Sequence, residues 1–268
     1  MEVAEEFKAQ FGQDGITFML TCETDVRRIH QDFADCSKTK QIPPSLLTSY
    51  DLRQPANGLV MDVIDQCAIF NRNKVDSTSK NVGKNSLKLF VTNQVRQMIK
   101  TLLTGDMALS EPAFVEKART LLPDDVVVKQ SLEKIKEFLK ILTEEIPVWK
   151  EAAEISGLGP EANRLKALRE KQSLAFTATG LNIIGLIGHE LLFNGGEIKD
   201  WRQYATKLGK LNYAKSDPLW KDVLTEKLNK AGEKVWHIQT QRSPVERATA
   251  RAKQEIGLEP ELNLAPAA

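Results

Sequence analysis

The stretch that decides the fold is LAFTATGLNIIGLIGHELLF, residues 174–193, the longest apolar run in the chain. Five polar residues interrupt this run: Thr177, Thr179, Asn182, His189 and Glu190. Their polar groups would be costly in the hydrocarbon of a bilayer. We therefore predict a buried helix of a globular core and no membrane span.

Three glycines lie within this predicted helix, at Gly180, Gly185 and Gly188. A glycine inside a helix costs roughly 1 kcal/mol relative to alanine. Three of them in one apolar helix predict that a neighbouring helix crosses closely against it. His189 lies on the same helix and is interpreted as a core residue, because no Ser or Cys stands near it in a recognisable catalytic motif.

Helical spacing of apolar residues continues on both sides of this run. Before it, helices are predicted after Thr24, after Pro55, from about Leu89 to Leu103 with Gly105 as the stop, after Pro123-Asp124-Asp125 up to Pro147, and from Glu161. After it, two amphipathic helices are predicted, one with Trp201, Tyr204 and Leu208 on one face and one with Val223, Leu224 and Leu228, followed by a last basic helix from Ser243-Pro244. Ser45 is predicted to begin a short turn, and residues 16–22 a strand.

These patterns predict a mainly α fold of the α+β type, with one or two short strands near the N-terminus and a helical C-terminal bundle. We expect two domains, residues 1–105 and residues 106–268. The chain of 268 residues is long enough for a sizeable core. Its 37 basic and 36 acidic residues nearly cancel, so total charge indicates no partner.

Several functional classes find no support in the sequence. We find no GxGxxG fingerprint, P-loop, HExxH or nucleophile elbow, and we expect neither enzymatic activity nor a cofactor. Seven residues separate Cys22 from His30 and five separate His30 from Cys36, whereas a pair of metal ligands normally lies two to four residues apart, so buried structural cysteines are favoured over a metal site. The acidic N-terminus MEVAEEFKAQ lacks a signal sequence, and we expect a cytoplasmic protein without a membrane partner.

The strongest local signal for function is a basic stretch from Asn71 to Lys100. It holds seven cationic residues against the single acid Asp76: Arg72, Lys74, Lys80, Lys84, Lys88, Arg96 and Lys100. Lysine and arginine on a loop can approach phosphates of DNA and release counterions. Composition alone slightly favours the alternative, an ordinary solvated charged surface. The last helix, with Arg242, Arg247, Arg251 and Lys253 among acids, is typical of an exposed helix.

Several segments of the sequence resemble the DndB family of DNA sulfur modification proteins, whose members share a DGQHR domain. The segments are FADCSKT (33–39), SL (45–46), YDLRQP (50–55), GKNSLKLF (83–90), AFTATGLNIIG (175–185), DW (200–201), LNY (211–213) and DPLW (217–220). The name-giving Asp-Gly-Gln-His-Arg motif is absent, and Cys36-Ser37 stands where the family usually shows Leu-Asn. We therefore expect a C-terminal portion of the family's domain.

The resemblance implies a DNA-binding regulator, a repressor of the genes for phosphorothioate modification, in which sulfur replaces a non-bridging phosphate oxygen. Its partner is expected to be double-stranded DNA of a promoter region. The predicted DNA-binding residues are Arg72, Lys74, Lys80, Lys84, Lys88 and Arg96. A non-catalytic scaffold for the modification enzymes stays open as the alternative, as does assembly into a homo-oligomer.

Overall fold

The fold is built mainly from helices, as a computed structural model that describes residues 24–36, 44–51, 53–228 and 234–258 shows. Its α-helices in chain order are α1 Val26–Cys36, α2 Pro44–Tyr50, α3 Pro55–Gln66, α4 Thr92–Thr104, α5 Glu111–Leu121, α6 Asp125–Glu145, α7 Pro147–Glu154, α8 Ala162–Glu170, α9 Ala178–Leu192, α10 Trp201–Gly209 and α11 Arg242–Glu255. The predicted fold class is confirmed. The strand predicted at residues 16–22 lies outside the described residues.

Helix α9, from the decisive apolar run, packs against α4 at the centre of the molecule. A Cβ atom on Gly185 would lie 2.8 Å from the carbonyl oxygen of Met98 on α4, and one on Gly188 would lie 2.9 Å from the Phe138 ring on α6. The predicted close approach is therefore confirmed for both glycines. At Gly180 the close neighbour is the backbone oxygen of Leu174, in a short 3₁₀ turn just before the helix.

Local capping signals fix several helix ends. Asp124 accepts hydrogen bonds from the backbone N–H groups of Val126 and Val127, both at 2.9 Å, and so begins α6. The helix ends before Pro147, which is the first residue of α7. Gly105 ends α4 with φ of 68°, a left-handed conformation that favours glycine. These three predictions are confirmed.

Two predictions about local structure are wrong. The segment with Val223, Leu224 and Leu228 is not a helix, because Leu224–Leu228 forms strand β3 and pairs antiparallel with β4, Lys234–Ile238. The residues of β4, among them Val235 and Trp236, supply the cross-strand partners that stabilise a hairpin. The turn predicted from Ser45 is instead the short helix α2.

A second, smaller pair of strands lies within the basic stretch. Strand β1, Val75–Asp76, runs parallel to β2, Phe90–Val91, with Val75 opposite Phe90. Residues 77–89 therefore form the connection between two paired strands, and α4 begins directly after β2.

One continuous cluster of buried side chains includes Leu59 of α3, Ile184 of α9 and Ala252 of α11. Trp149 of α7 belongs to it and donates from its indole N–H to the carbonyl oxygen of Ala175 at 3.1 Å. This core joins residues from both sides of position 105. The division into residues 1–105 and 106–268 stays a prediction.

Candidate nucleic-acid interface

The part of the basic stretch that lies between α3 and α4, residues 71–91, is called the basic segment. Two of its own cationic side chains hold it in place. Lys74 is fully buried, and its ammonium donates to the carbonyl oxygens of Ala68 at 2.8 Å and Ala153 at 3.2 Å. Burial lowers the pKa of Lys74 to about 8. This lysine joins the start of the segment to the end of α7 and has no face toward solvent.

Lys88 has a similar role at the other end of the connection. Its ammonium donates to the carbonyl oxygens of Arg72 at 3.2 Å and Asn73 at 2.8 Å, and its side chain is half-buried. The residues that precede β1 and those that precede β2 are thereby tied together, which closes the segment into a compact loop.

Arg169, on α8, clamps the loop from outside. Its guanidinium donates to the carbonyl oxygens of Gly83 at 3.1 Å, Lys84 at 2.9 Å and Lys88 at 2.9 Å. The sequence gives no signal for this residue, because it lies more than 80 positions from its partners and no local pattern marks the contact. These hydrogen bonds hold the backbone of residues 83–88 against α8.

Asp76, the single acid of the segment, shapes the start of the loop. One carboxylate oxygen accepts from the backbone N–H and hydroxyl of Thr78, at 2.9 and 2.8 Å, and from the backbone N–H of Ser79 at 3.1 Å. Partial burial acts to raise the pKa of Asp76, but these hydrogen bonds outweigh it and lower the pKa to about 2. The carboxylate is occupied within the loop.

Arg72 and Arg96 are both paired with carboxylates. Arg72 is exposed and forms a two-pronged pair with Asp65, with 2.7 Å between Nη2 and Oδ2. Arg96 is buried, donates from Nε to Asn57 at 3.0 Å and pairs through Nη1 with Glu111 at 2.5 Å. Arg96 lines a cavity whose walls include no residue of the loop 77–88.

Lys80 and Lys84 differ from the other four predicted residues. Both are exposed, and neither side chain makes a hydrogen bond or an ion pair within the described part of the chain. Residues 77–88 contain three lysines and no acid. They also contain six Ser, Thr and Asn residues: Ser77, Thr78, Ser79, Asn81, Asn85 and Ser86. The structure thus presents two free cations on an anchored polar loop.

The last helix has a different arrangement of charge. Arg247 and Arg251 both contact the carboxylate of Asp222, and Arg242 pairs with Glu246 at 2.7 Å. Lys253 lies 3.6 Å from a carboxylate oxygen of Glu190. These pairs agree with the interpretation of α11 as an ordinary charged helix.

The histidines and cysteines show no chemical constellation in the described ranges. His189 is half-buried, and its Nδ1 lies 3.0 Å from the carbonyl oxygen of Leu102, as expected for a core histidine. Cys67 is buried, and burial raises the pKa of its thiol to about 12. Cys22 lies outside the described residues. Within these ranges no group of three or more His, Cys, Asp or Glu side chains could hold a metal ion.

Among the helices of the described ranges, none is both long and apolar enough to span a bilayer.

The structure combines a helical core with a basic loop that lies beside α8. Comparison with known families matches the chain over residues 2–259 to a class of proteins associated with DNA sulfur modification. The chain belongs to this family, DndB, so the resemblance seen in the sequence is confirmed. No curated protein and no solved structure matches the chain.

Proposed function

We propose that the protein is a cytoplasmic DNA-binding regulator, a repressor of the modification genes in the DNA sulfur modification system of its family. The observation that carries this proposal is the pair of exposed cations Lys80 and Lys84, which have no side-chain partner among the described residues and lie in a segment, residues 77–88, that contains no acid. The two ammonium groups contact backbone phosphates of double-stranded DNA at a promoter. The protein regulates without a catalytic step or cofactor of its own.

The loop has the chemistry that phosphate contact needs. Lysine neutralises phosphates, and Ser, Thr and Asn side chains commonly donate to phosphate oxygens in protein–DNA complexes. The anchors at Lys74, Lys88 and Arg169 reduce the conformational entropy that the loop would lose on binding. Lys74 and Arg96 are left out of the proposed contact surface because their charged groups are buried.

The test compares two double variants in their binding to duplex DNA. Lys80→Ala with Lys84→Ala removes the proposed contacts, whereas Lys129→Ala with Lys150→Ala removes two exposed lysines of α6 and α7. Affinity is measured for a promoter duplex and a random duplex at several salt concentrations. We expect the loop variant to bind both duplexes more weakly, with a salt slope reduced by up to about two charges.

The control variant is expected to keep the slope of the parent protein. An unchanged slope in the loop variant, or an equal loss in both variants, would show that Lys80 and Lys84 do not contact phosphate.

A scaffold for the modification enzymes is a second candidate, favoured by the hairpin β3–β4. Leu228 is 68% exposed and Val235 41% exposed, so two large apolar side chains of one hairpin face solvent. Under this alternative, Leu228→Ser with Val235→Ser would abolish capture of the modification enzymes. The loop double variant would capture them normally, and the parent protein would not bind duplex DNA.

A further inference from the structure

The tip of the basic loop is a β-turn, Gly83–Ser86, which a hydrogen bond from the Ser86 backbone N–H to the Gly83 carbonyl oxygen closes at 3.0 Å. Neither of the two central residues, Lys84 and Asn85, has a positive φ. Turns of types II, I′ and II′ each need a positive φ at a central residue, so these angles and the closing hydrogen bond fit a type I turn. The two central residues therefore have backbone conformations close to those of a helical turn.

One nitrogen atom of Arg169 binds both carbonyl groups at the start of this turn. Arg169 Nη2 donates to the carbonyl oxygen of Gly83 at 3.1 Å and to that of Lys84 at 2.9 Å. In a trans peptide the N–H points opposite to the C=O of the same peptide unit, and the described residues contain no cis peptide bond. The N–H groups of Lys84 and Asn85 therefore both point to the side of the turn that faces away from Arg169.

These two N–H groups lack an acceptor. Within the described residues no oxygen accepts a hydrogen bond from the backbone nitrogen of Lys84 or of Asn85, and both residues are exposed. Successive N–H groups in a turn form a concavity that binds anions. The ammonium of Lys84 belongs to the same turn, and residues 77–88 contain no acid that would compete with an anion.

Arg169 also strengthens the two N–H donors. Its positive charge lies on the carbonyl side of both peptide units, and a hydrogen bond at a carbonyl oxygen polarises the N–H at the other end of the peptide. A hydrogen bond from such an N–H to a charged oxygen is stronger than one between neutral groups. Arg169 and Lys88 hold the turn in place before an anion binds, so little conformational freedom is lost on binding.

We infer that the turn Gly83–Ser86 is a phosphate-binding site. The backbone N–H groups of Lys84 and Asn85 donate to oxygens of one phosphate group, and the Lys84 ammonium neutralises its charge. This inference deepens the proposed function and rests on it for the source of the phosphate, the backbone of double-stranded DNA. Arg169 is a positioning residue, because it binds the turn and not the phosphate. Main-chain contacts of this kind place the protein on the duplex and read no base.

The first test follows the backbone amide signals of the parent protein by NMR. Inorganic phosphate and duplex DNA are titrated separately, with sodium chloride of equal ionic strength as the reference. We expect the amide protons of Lys84 and Asn85 to shift downfield with phosphate or duplex and not with chloride, because they form hydrogen bonds to a charged oxygen. The amide protons of Lys80 and Asn81, in the same loop but outside the turn, should shift less. If neither ligand shifts the Lys84 and Asn85 signals selectively, the turn is not a phosphate site.

The second test separates the N–H of Lys84 from its ammonium. Lys84→Ala and Lys84→Pro both remove the charge, but only proline removes the N–H. Proline is favoured at the second position of a type I turn, and the preceding Gly83 has no Cβ to clash with it. We expect Lys84→Pro to bind duplex DNA about tenfold more weakly than Lys84→Ala, because a hydrogen bond to a charged group is lost. The salt slopes of the two variants should be equal. Equal affinities would overturn the inference.

Ala68→Pro is the matched control for the change from alanine to proline. Ala68 is exposed at the second position of another turn, which the Phe70 N–H closes by donating to the Cys67 carbonyl oxygen at 3.0 Å. Cys67 has the extended conformation that a residue before proline prefers, and the Ala68 N–H has no acceptor within the described residues. We expect this variant to bind duplex DNA as the parent protein does. A tenfold loss here as well would assign the effect of Lys84→Pro to proline itself and would contradict the inference.

The two ligands of the NMR titration distinguish the sources of the phosphate. If duplex DNA shifts the Lys84 and Asn85 amides, the turn holds a backbone phosphate of DNA. If inorganic phosphate shifts them and duplex DNA does not, the turn holds a free phosphate, and the proposed function fails while the site stands. If neither shifts them but the Lys80 and Lys84 double variant still has a reduced salt slope, the proposed function stands and the site does not.

Discussion

The guanidinium of Arg169 donates to the carbonyl oxygen of Lys84 at 2.9 Å, which joins α8 to the tip of the basic loop. The same side chain reaches the carbonyls of Gly83 and Lys88. The position of Lys84, a proposed phosphate contact, thus depends on Arg169, whose guanidinium binds the backbone of the loop.

Arg169→Gln should loosen the loop without removing a phosphate contact. We expect faster amide hydrogen exchange in residues 83–88, because the carbonyl clamp is lost. DNA affinity should fall about two- to tenfold with an unchanged salt slope, since Lys80 and Lys84 remain. The control is Arg164→Gln on the same helix, whose exposed side chain lies 3.9 Å from Glu161. A reduced salt slope in Arg169→Gln would mean that Arg169 itself contacts phosphate.

Elements of this fold that have local causes can be predicted from the sequence, whereas elements that depend on distant contacts cannot. Asp124 at the start of α6 and the apolar spacing of α9 act within one or two helical turns, so sequence patterns predicted both. The hairpin was missed because Leu224 and Leu228 also fit helical spacing, and only pairing with residues 234–238 decides for a strand. Such pairing is a tertiary effect that overrides local pattern.

The basic segment shows the same division at the level of single residues. Composition located the exposed Lys80 and Lys84, but it could not separate them from Lys74, whose hydrogen bond to Ala153 joins residues 79 positions apart. Burial of a lysine is rare and depends on carbonyl partners that only the fold supplies. The cavity beside Arg96 was missed for the same reason, because four separate segments form it.

Gly185→Ala should destabilise the protein. The added Cβ atom would lie 2.8 Å from the Met98 carbonyl oxygen, so α9 and α4 must move apart. We expect the free energy of unfolding to fall by about 1–3 kcal/mol, measured by urea denaturation. Gly58→Ala is the control, because nothing lies within 4 Å of its added Cβ in α3. This change should stabilise the protein by up to about 1 kcal/mol, and two effects of the same sign would contradict the packing argument.

Asp76→Asn should reduce stability in a manner that depends on pH. The hydrogen bonds from Ser79 and Thr78 lower the pKa of Asp76 to about 2, against partial burial, whereas an unfolded aspartate titrates near 4. The folded state therefore binds fewer protons between these values, and the contribution of the carboxylate is present above about pH 4 and is lost as pH falls toward 2. We expect the parent protein and the variant to converge in urea stability at the acidic end. An equal difference at pH 7 and pH 2.5 would contradict this role.

Lys74→Met should remove a stability change at alkaline pH. Burial lowers the pKa of Lys74 to about 8, while an unfolded lysine titrates near 10.4, so the unfolded state binds more protons between these values. Stability of the parent protein relative to the variant should therefore rise from about pH 8 to about pH 10.4, by about 1.4 kcal/mol for each pH unit. Below pH 8 the full cost of burying the ammonium remains. Urea denaturation of both proteins at pH 7.5, 8.5, 9.5 and 10.5 measures the difference, and a difference that does not change across this series would show that Lys74 keeps its proton in the folded protein.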